Sequence, residues 1–204
     1  FMASVTEGNT RWTILHTTQS NTNQIIQLMD RKAYVTMQHM VLDRCREKHV
    51  RMASTKINAL IGLQEKVIYS GSKFNCDEGY VYGEEKRKMK CHPHRSPLNL
   101  IESISNSCNA YFCNVYRAII EKYPDTYEGY DVWRNYVTSF GLGNWLNNDL
   151  PTGQKGFVPT PNFYDRIYGK NRWKSLTNLS LSIGQDALLT TPIQMANMTA
   201  AIAN

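Results

Sequence analysis

Apolar and polar positions change rhythm several times along the chain. Ile25, Ile26, Met29, Ala33, Met37, Met40 and Val41 recur at roughly helical spacing behind Asn21-Thr22-Asn23, which predicts a capped helix running to about Val50. Residues 54 to 68 read as a second, largely buried helix, with Ser54 as its N-cap and Ile57, Ala59, Leu60, Ile61 and Leu63 as apolar content. Residues 69 to 96 are rich in Gly, Ser, Tyr and charge, the pattern of loops and short strands. Ser96-Pro97 has the form of a helix start, followed by the apolar positions Leu98, Leu100, Ile101 and Ile104. The pattern pauses at Ser105-Asn106-Ser107-Cys108-Asn109, then resumes as a helix from Ala110 to Ile120, closed by Pro124. Tyr130 to Phe140 reads as a short amphipathic helix stopped by Gly141. Residues 141 to 183 read mostly as connections, where Pro151, Pro159 and Pro161 forbid long helices. Thr191-Pro192 opens a last helix, and no internal repeat is visible.

Composition narrows the class. Of 204 residues, 42% are hydrophobic, 20% are charged and 11% are aromatic, enough apolar material for a core and too much for a disordered chain. No apolar run approaches the ~20 residues of a membrane-spanning helix, and the first residues lack the basic start and apolar run of a signal peptide, so neither anchor nor export address is expected here. The net charge of +6 permits an anionic partner without requiring one. Its densest stretch, Lys86-Arg87-Lys88-Met89-Lys90, reads as a solvated loop. With no zinc-finger, helix-turn-helix or RNP pattern beside it, no nucleic-acid partner is expected.

The cysteines add chemistry. Five is a poor number for a disulfide framework, yet four of them fall between Cys76 and Cys113. Cys76, Cys91, His94 and Cys108 are of the types that close a tetrahedral structural zinc site, and such a site would tie the 76–94 loop to the segment around Cys108. His92 can stand in for His94, and Cys113 for Cys108. Two other readings stay open: a Cys76–Cys91 disulfide in an oxidising compartment, and buried inert thiols.

The string from Ser96 to Phe112, with Ser107-Cys108-Asn109 inside it, resembles the second catalytic motif of class B penicillin-binding proteins, nearest to the elongation transpeptidase branch known as penicillin-binding protein 2. Phe140-Gly141-Leu142-Gly143, Asn148-Asp149-Leu150-Pro151, Ile183-Gly184-Gln185 and Thr191-Pro192-Ile193-Gln194-Met195 fit the family in order, and Ile57 to Gln64 is similar to the helix that follows its nucleophile. The likeness covers about residues 54 to 204, so residues 51 to 204 are read as a partial transpeptidase domain and residues 1 to 50 are left unassigned. The resemblance implies an α+β fold of the serine β-lactamase and D,D-transpeptidase class, an antiparallel sheet with helices on one face and an all-helical region, with this stretch predominantly helical. It implies peptidoglycan stem peptides and β-lactams as ligands, a membrane glycosyltransferase as partner, a place at the periplasmic face of the bacterial cytoplasmic membrane, and no cofactor needed for catalysis.

The family works with three motifs: Ser-x-x-Lys, Ser-x-Asn and Lys-Thr-Gly. A serine hydroxyl needs a nearby base, and a lysine one helical turn later can serve once its pKa is lowered. Ser107 and Asn109 fill the second motif, as proton relay and substrate-orienting amide; the plainer reading makes them a polar break, with Asn109 capping the helix that follows. The first motif is damaged. Lys56 follows Ser54 by two residues instead of three, which turns its amine away from that hydroxyl. Ser70-Gly71-Ser72-Lys73 has the spacing but lies in a loop and in the wrong order. No Lys-Thr-Gly occurs. The expectation is a piece of a transpeptidase unable to complete acyl transfer alone. A non-catalytic penicillin- or peptide-binding or sensor module on the same framework is the alternative.

Overall fold

The computed structural model describes residues 2–7, 10–15, 46–146 and 154–203. The elements in order are β1 (Met2–Glu7), β2 (Thr10–Leu15), α1 (Arg46–Gln64), β3 (Gly79–Tyr82), β4 (Arg87–Lys90), α2 (Leu100–Ser105), α3 (Asn109–Glu121), α4 (Thr126–Ser139), α5 (Pro161–Tyr168), a 3-10 segment (Leu179–Ile183) and α6 (Pro192–Ala203). Helix dominates; among the described residues the sheets are two antiparallel pairs, β1 with β2 and β3 with β4. Contacts divide the chain into two units: residues 1–46, 138–157 and 189–204, and residues 47–137 with 158–188.

The second unit holds every candidate site residue. Its centre is α3, where Ala110, Tyr111, Phe112, Cys113, Val115, Tyr116, Ile119 and Ile120 are all buried. A helix apolar on most of its circumference must be enclosed on several sides, and α3 packs on the 3-10 segment, β3 and β4. α1 presents Ser54, Ile57, Asn58, Ile61 and Glu65 as one buried stripe. It approaches α3 closely enough that a Cβ on Gly62 would meet Val115 Cγ1 at 2.8 Å. An aromatic cluster of Tyr116, Tyr130, Trp133, Tyr164 and Trp173, with ring centroids 5.3 to 5.6 Å apart, fills the space under α4 and α5. Each polar edge has a partner, as buried Tyr and Trp require: Tyr130 donates to Pro159 O at 2.9 Å, Tyr164 to Asp186 at 2.9 Å, and Trp133 to Asn58 Oδ1 at 2.7 Å.

In the other unit, β1 and β2 pair from Met2↔Leu15 to Glu7↔Thr10. Phe157 bridges Leu189. Gln194, fully buried, donates to Asn144 O and Lys155 O at 2.8 and 2.7 Å, while its Oε1 accepts from Thr191 N at 3.0 Å. Thr191-x-x-Gln194 is a reciprocal capping arrangement, so α6 starts where the sequence indicates.

Several expectations need correction. The body of the helix foreseen from Asn21 to Val50 lies outside the described residues; Arg46 to Val50 belong to α1. β1 and β2 were not foreseen. Ser54 is not an N-cap, because α1 begins eight residues earlier. Ser96-Pro97 does not open a helix: Leu98 is held in a bridge with Phe74, and Asn99 and Glu102 form a capping box that starts α2 at Leu100. Cys108 rather than Asn109 caps α3, its sulfur accepting from Tyr111 N at 3.4 Å. The 86–90 stretch is mainly strand β4, its charges exposed and Arg87 paired with Glu85. α4 starts at Thr126, four residues before the expected Tyr130. α5 lies in the stretch expected to be mostly connection; Thr160-Pro161 starts it with the same signal as Thr191-Pro192.

Candidate functional site

Two candidate sites share one frame. The β3–β4 hairpin pairs Gly79 with Lys90 and Tyr82 with Arg87, so residues just outside its base are brought together. Cys91 N donates to Glu78 O at 2.9 Å, continuing the ladder by one bond. Cys76 N donates to Ser96 Oγ at 2.8 Å, which ties the incoming chain to the segment leading into α2. Cys108 stands at the start of α3, its N–H bonded to Ser103 O at 2.9 Å. From these three places, and from His94, four ligand atoms converge within 4.8 Å of one another. A zinc tetrahedron with bonds of about 2.3 Å to sulfur has edges a little under 4 Å, so side-chain adjustments of less than an ångström would close it.

The histidine is already oriented. His94 Nδ1 lies 2.7 Å from Arg95 O and its Nε2 lies 3.3 Å from Cys91 Sγ. A carbonyl can only accept, so Nδ1 carries the proton and Nε2 faces the sulfurs with its lone pair, the arrangement that metal-binding histidines use. His92 is exposed and stacks edge-on against His94 at 5.5 Å. Cys113 donates to Met89 Sδ at 3.3 Å and lies 3.4 Å from Ser182 Oγ. The cluster therefore contains His94 and Cys108, not their stand-ins. Cys76 and Cys108 are buried, while Cys91 and His94 are half-exposed; Cys76 and His94 line a cavity of about 210 Å³ with Asp77, Glu78, His92 and Pro93. Cys76, Cys91, Cys108 and Cys113 are free thiols. Burial pushes the Cys76 and Cys108 thiols up, and the proximity of the sulfurs adds to it; burial takes Cys113 up to about 12. Crowded thiols resist ionising against one another, and a divalent cation reverses that preference by binding the thiolates.

The second motif sits on the same frame. α2 ends at Ser105, Asn106 caps it, and Ser107 turns the chain with φ +46°. Its side chain is exposed. Asn109, the first residue of α3, donates through Nδ2 to Lys90 O at 2.8 Å. The two motif residues thus flank the thiol Cys108, and the amide of Asn109 is fixed by the residue next to Cys91. No sequence pattern announces a backbone carbonyl as a partner, so nothing in the sequence points to Lys90. Ser96 carries the signal of a helix cap, yet its hydroxyl serves Cys76 N.

The first pair is placed otherwise. Ser54 is only 4% exposed; its hydroxyl donates to Leu181 O at 2.8 Å and accepts from Asn58 Nδ2 at 3.4 Å. Asn58 in turn donates to Ser182 O at 2.8 Å. Lys56 lies on the exposed side of the helix. A hydroxyl turned into the core and held by a carbonyl is not presented to a substrate, and an amine two residues on faces away from it. This geometry does not support the nucleophile role expected of Ser54 or the base role expected of Lys56. Asn148-Asp149-Leu150-Pro151 lies outside the described residues.

Comparison with known proteins gives a consistent answer. The family model of the penicillin binding protein transpeptidase domain matches residues 13–204. Over 107 residues, 52% of the chain, the sequence is 32% identical to the peptidoglycan D,D-transpeptidase MrdA of Acinetobacter baumannii. In fold it is similar to penicillin-binding protein 2 of Pseudomonas aeruginosa, with a TM-score of 0.63 and 22% identity over 86% of the chain. It is also similar to the Helicobacter pylori penicillin-binding protein 2 solved in complex with MreC, with a TM-score of 0.56 and 19% identity over 82% of the chain. The chain spans 14% of the Acinetobacter protein's length, and 40% and 31% of the two solved chains.

Proposed function

The chain belongs to the penicillin-binding protein transpeptidase family, and on that premise we propose that it is part of a peptidoglycan D,D-transpeptidase that binds penicillin and cross-links cell-wall stem peptides through a seryl acyl-enzyme. The observation that carries this reading is the turn between α2 and α3. Ser107 is exposed there with a backbone conformation that non-glycine residues adopt rarely, and Asn109 is held by Lys90 O. A strained, presented serine beside a fixed amide suits a proton relay and a group that orients a peptide substrate.

Acyl transfer also needs a nucleophile, its base and donors for the developing oxyanion. Ser54 is buried and bonded, Lys56 points elsewhere, and the sequence has no Lys-Thr-Gly. The 204-residue chain by itself is therefore inactive in this proposal. Intact mass after incubation with benzylpenicillin tests it. A folded sample is expected to carry no adduct; a stoichiometric adduct that disappears in Ser54→Ala would overturn the inactivity and restore Ser54 as nucleophile. The buried Ser54 hydroxyl favours one second reading, a penicillin- or peptide-binding module that uses the Ser107–Asn109 turn without turnover. Saturable calorimetric binding of a stem peptide, weakened in Asn109→Ala and unaccompanied by any adduct, would select it.

Cys76, Cys91, His94 and Cys108 fit a structural zinc ion. Three soft thiolates and one imidazole are the donor set of a closed site, and the His94 tautomer is set for it. When bound, the metal would supply cross-linking rather than chemistry, joining the hairpin base to the start of α3. The catalytic steps need no cofactor. The working partners in this reading are a membrane glycosyltransferase of the elongation machinery and, by analogy with the Helicobacter protein, a protein like MreC. The full protein would act at the periplasmic face of the cytoplasmic membrane.

A further inference from the structure

We propose that Cys76 and Cys91 are a redox pair, converted by a disulfide-class oxidant into a Cys76–Cys91 disulfide that locks the base of the β3–β4 hairpin. Three observations single out these two of the four described thiols. Their sulfurs, together with that of Cys108, belong to a cluster whose ligand atoms lie within 4.8 Å of one another, which leaves Cys113 out. The Cys91 N–Glu78 O bond and the Gly79↔Lys90 pair fix Cys91 opposite Glu78, two residues from Cys76, so both thiols stand at the base of the same hairpin. Access ranks them: Cys91 is half-exposed and Cys76, though buried, lines the cavity, whereas Cys108 is 1% exposed with its sulfur accepting from Tyr111 N, and Cys113 is fully buried.

Cys91 is thus the attacking thiol and Cys76 the resolving one. The Cys91 thiolate attacks one sulfur of the oxidant's disulfide, forming a mixed disulfide and releasing one thiolate. Cys76 then attacks the Cys91 sulfur, closing the protein disulfide and expelling the second thiolate. The protein loses two electrons, the oxidant is reduced to two thiols, and these take up the two protons that the cysteines gave up. Two of the four metal-ligating groups are consumed, so the oxidised hairpin base and a metal-bound one exclude each other. That exclusion rests on the metal reading; the pair itself rests on the proximity of the sulfurs, their place at the hairpin base and their access.

The test uses the whole chain, stripped of metal and incubated with oxidised glutathione, then alkylated under denaturing conditions and mapped by mass without reduction. The expected result is one cross-link joining the peptides of Cys76 and Cys91, with Cys108 and Cys113 alkylated, and the same cross-link in Cys113→Ser. A glutathione adduct left standing on Cys91, a link to Cys108, or alkylation of both Cys76 and Cys91 would overturn the proposal. Prior loading with zinc is expected to slow the cross-link at least tenfold. A cross-link that forms equally fast with zinc present would sink the metal reading and leave the pair intact; stoichiometric zinc binding without any cross-link in the stripped protein would do the reverse.

Discussion

Ser54 and Ser107 are the two serines that the family resemblance assigns to motifs, and the fold treats them in opposite ways. Ser54 is on α1, in register with Ile57, Asn58, Ile61 and Glu65, so it falls on the stripe that the helix buries. Ser107 is between two helices, belongs to no stripe, and is left exposed in a left-handed turn. In a helix the face of a side chain follows from its position modulo 3.6 residues, so losing one residue from a Ser-x-x-Lys spacing rotates the lysine by about 100°. In a turn no such rule applies, and presentation depends only on where the flanking helices are capped. Asn99 with Glu102 on one side and Cys108 on the other fix those caps.

The contrast can be broken first at Asn58. This fully buried amide bonds Ser182 O, Ser54 Oγ and Trp133 Nε1 together, joining α1 to the 3-10 segment and α4. Asn58→Ala would leave the Trp133 N–H and the Ser182 carbonyl buried without partners. At 1 to 3 kcal/mol for each such group, roughly 3 kcal/mol of stability should go, read from urea unfolding. A loss under about 1 kcal/mol would mean that the stripe does not hold α1 in this register.

On the presented side the frame around Ser107 and Asn109 can be tightened. Zinc at about 100 times its dissociation constant should raise the unfolding free energy by about 2.7 kcal/mol, seen as a higher melting temperature, and Cys108→Ser should remove most of that gain. A melting temperature indifferent to zinc would detach the second motif from any metal.

Glu65 extends the buried side. Lys122 Nζ donates to its carboxylate at 2.6 Å, with Tyr123 and Tyr136 at 2.8 and 2.9 Å. The Lys122 bond leads the effects that hold the carboxyl below its ordinary value of 4.5, against the opposing pull of burial. A carboxyl whose pKa is lower in the folded state contributes stability above its unfolded value and loses it as pH falls through the folded one. The urea midpoint should therefore drop as pH is lowered from about 4.5, and Glu65→Gln should flatten that part of the profile. The same slope in both proteins would assign the acid sensitivity elsewhere.

The smallest effect separates the members of the first motif. Ser54→Ala removes two buried hydrogen bonds, a 2.8 Å one to Leu181 O and a long 3.4 Å one from Asn58, and should cost about 1 kcal/mol. Lys56→Ala, on the exposed side, should stay within about 0.5 kcal/mol. Reversed magnitudes would show that α1 is rotated relative to this arrangement.

Much of the helical framework was legible because its signals are local. The apolar run of α3, the Gly141 stop after α4 and the Thr191-Pro192 start of α6 depend on neighbours in sequence. Ser96-Pro97 misled because the same dipeptide serves an extended segment when Phe74 pairs with Leu98. The residue types of the Cys76, Cys91, His94 and Cys108 cluster, with His94 as its histidine, were legible; the contacts that hold His94 there, to Cys91 and the Arg95 carbonyl, were not.

The sequence by itself determined the family, the residue types of both candidate sites and the damaged spacing of the first motif, because these are properties of order along the chain. Only the tertiary structure decided that Ser54 is a core residue, that Lys90 holds Asn109, and that three cysteines and a histidine separated by up to 32 positions converge. Those outcomes depend on how α1, the β3–β4 hairpin and α3 bury their apolar faces against one another, and burial is settled by contacts between distant segments rather than by the residues of any one of them.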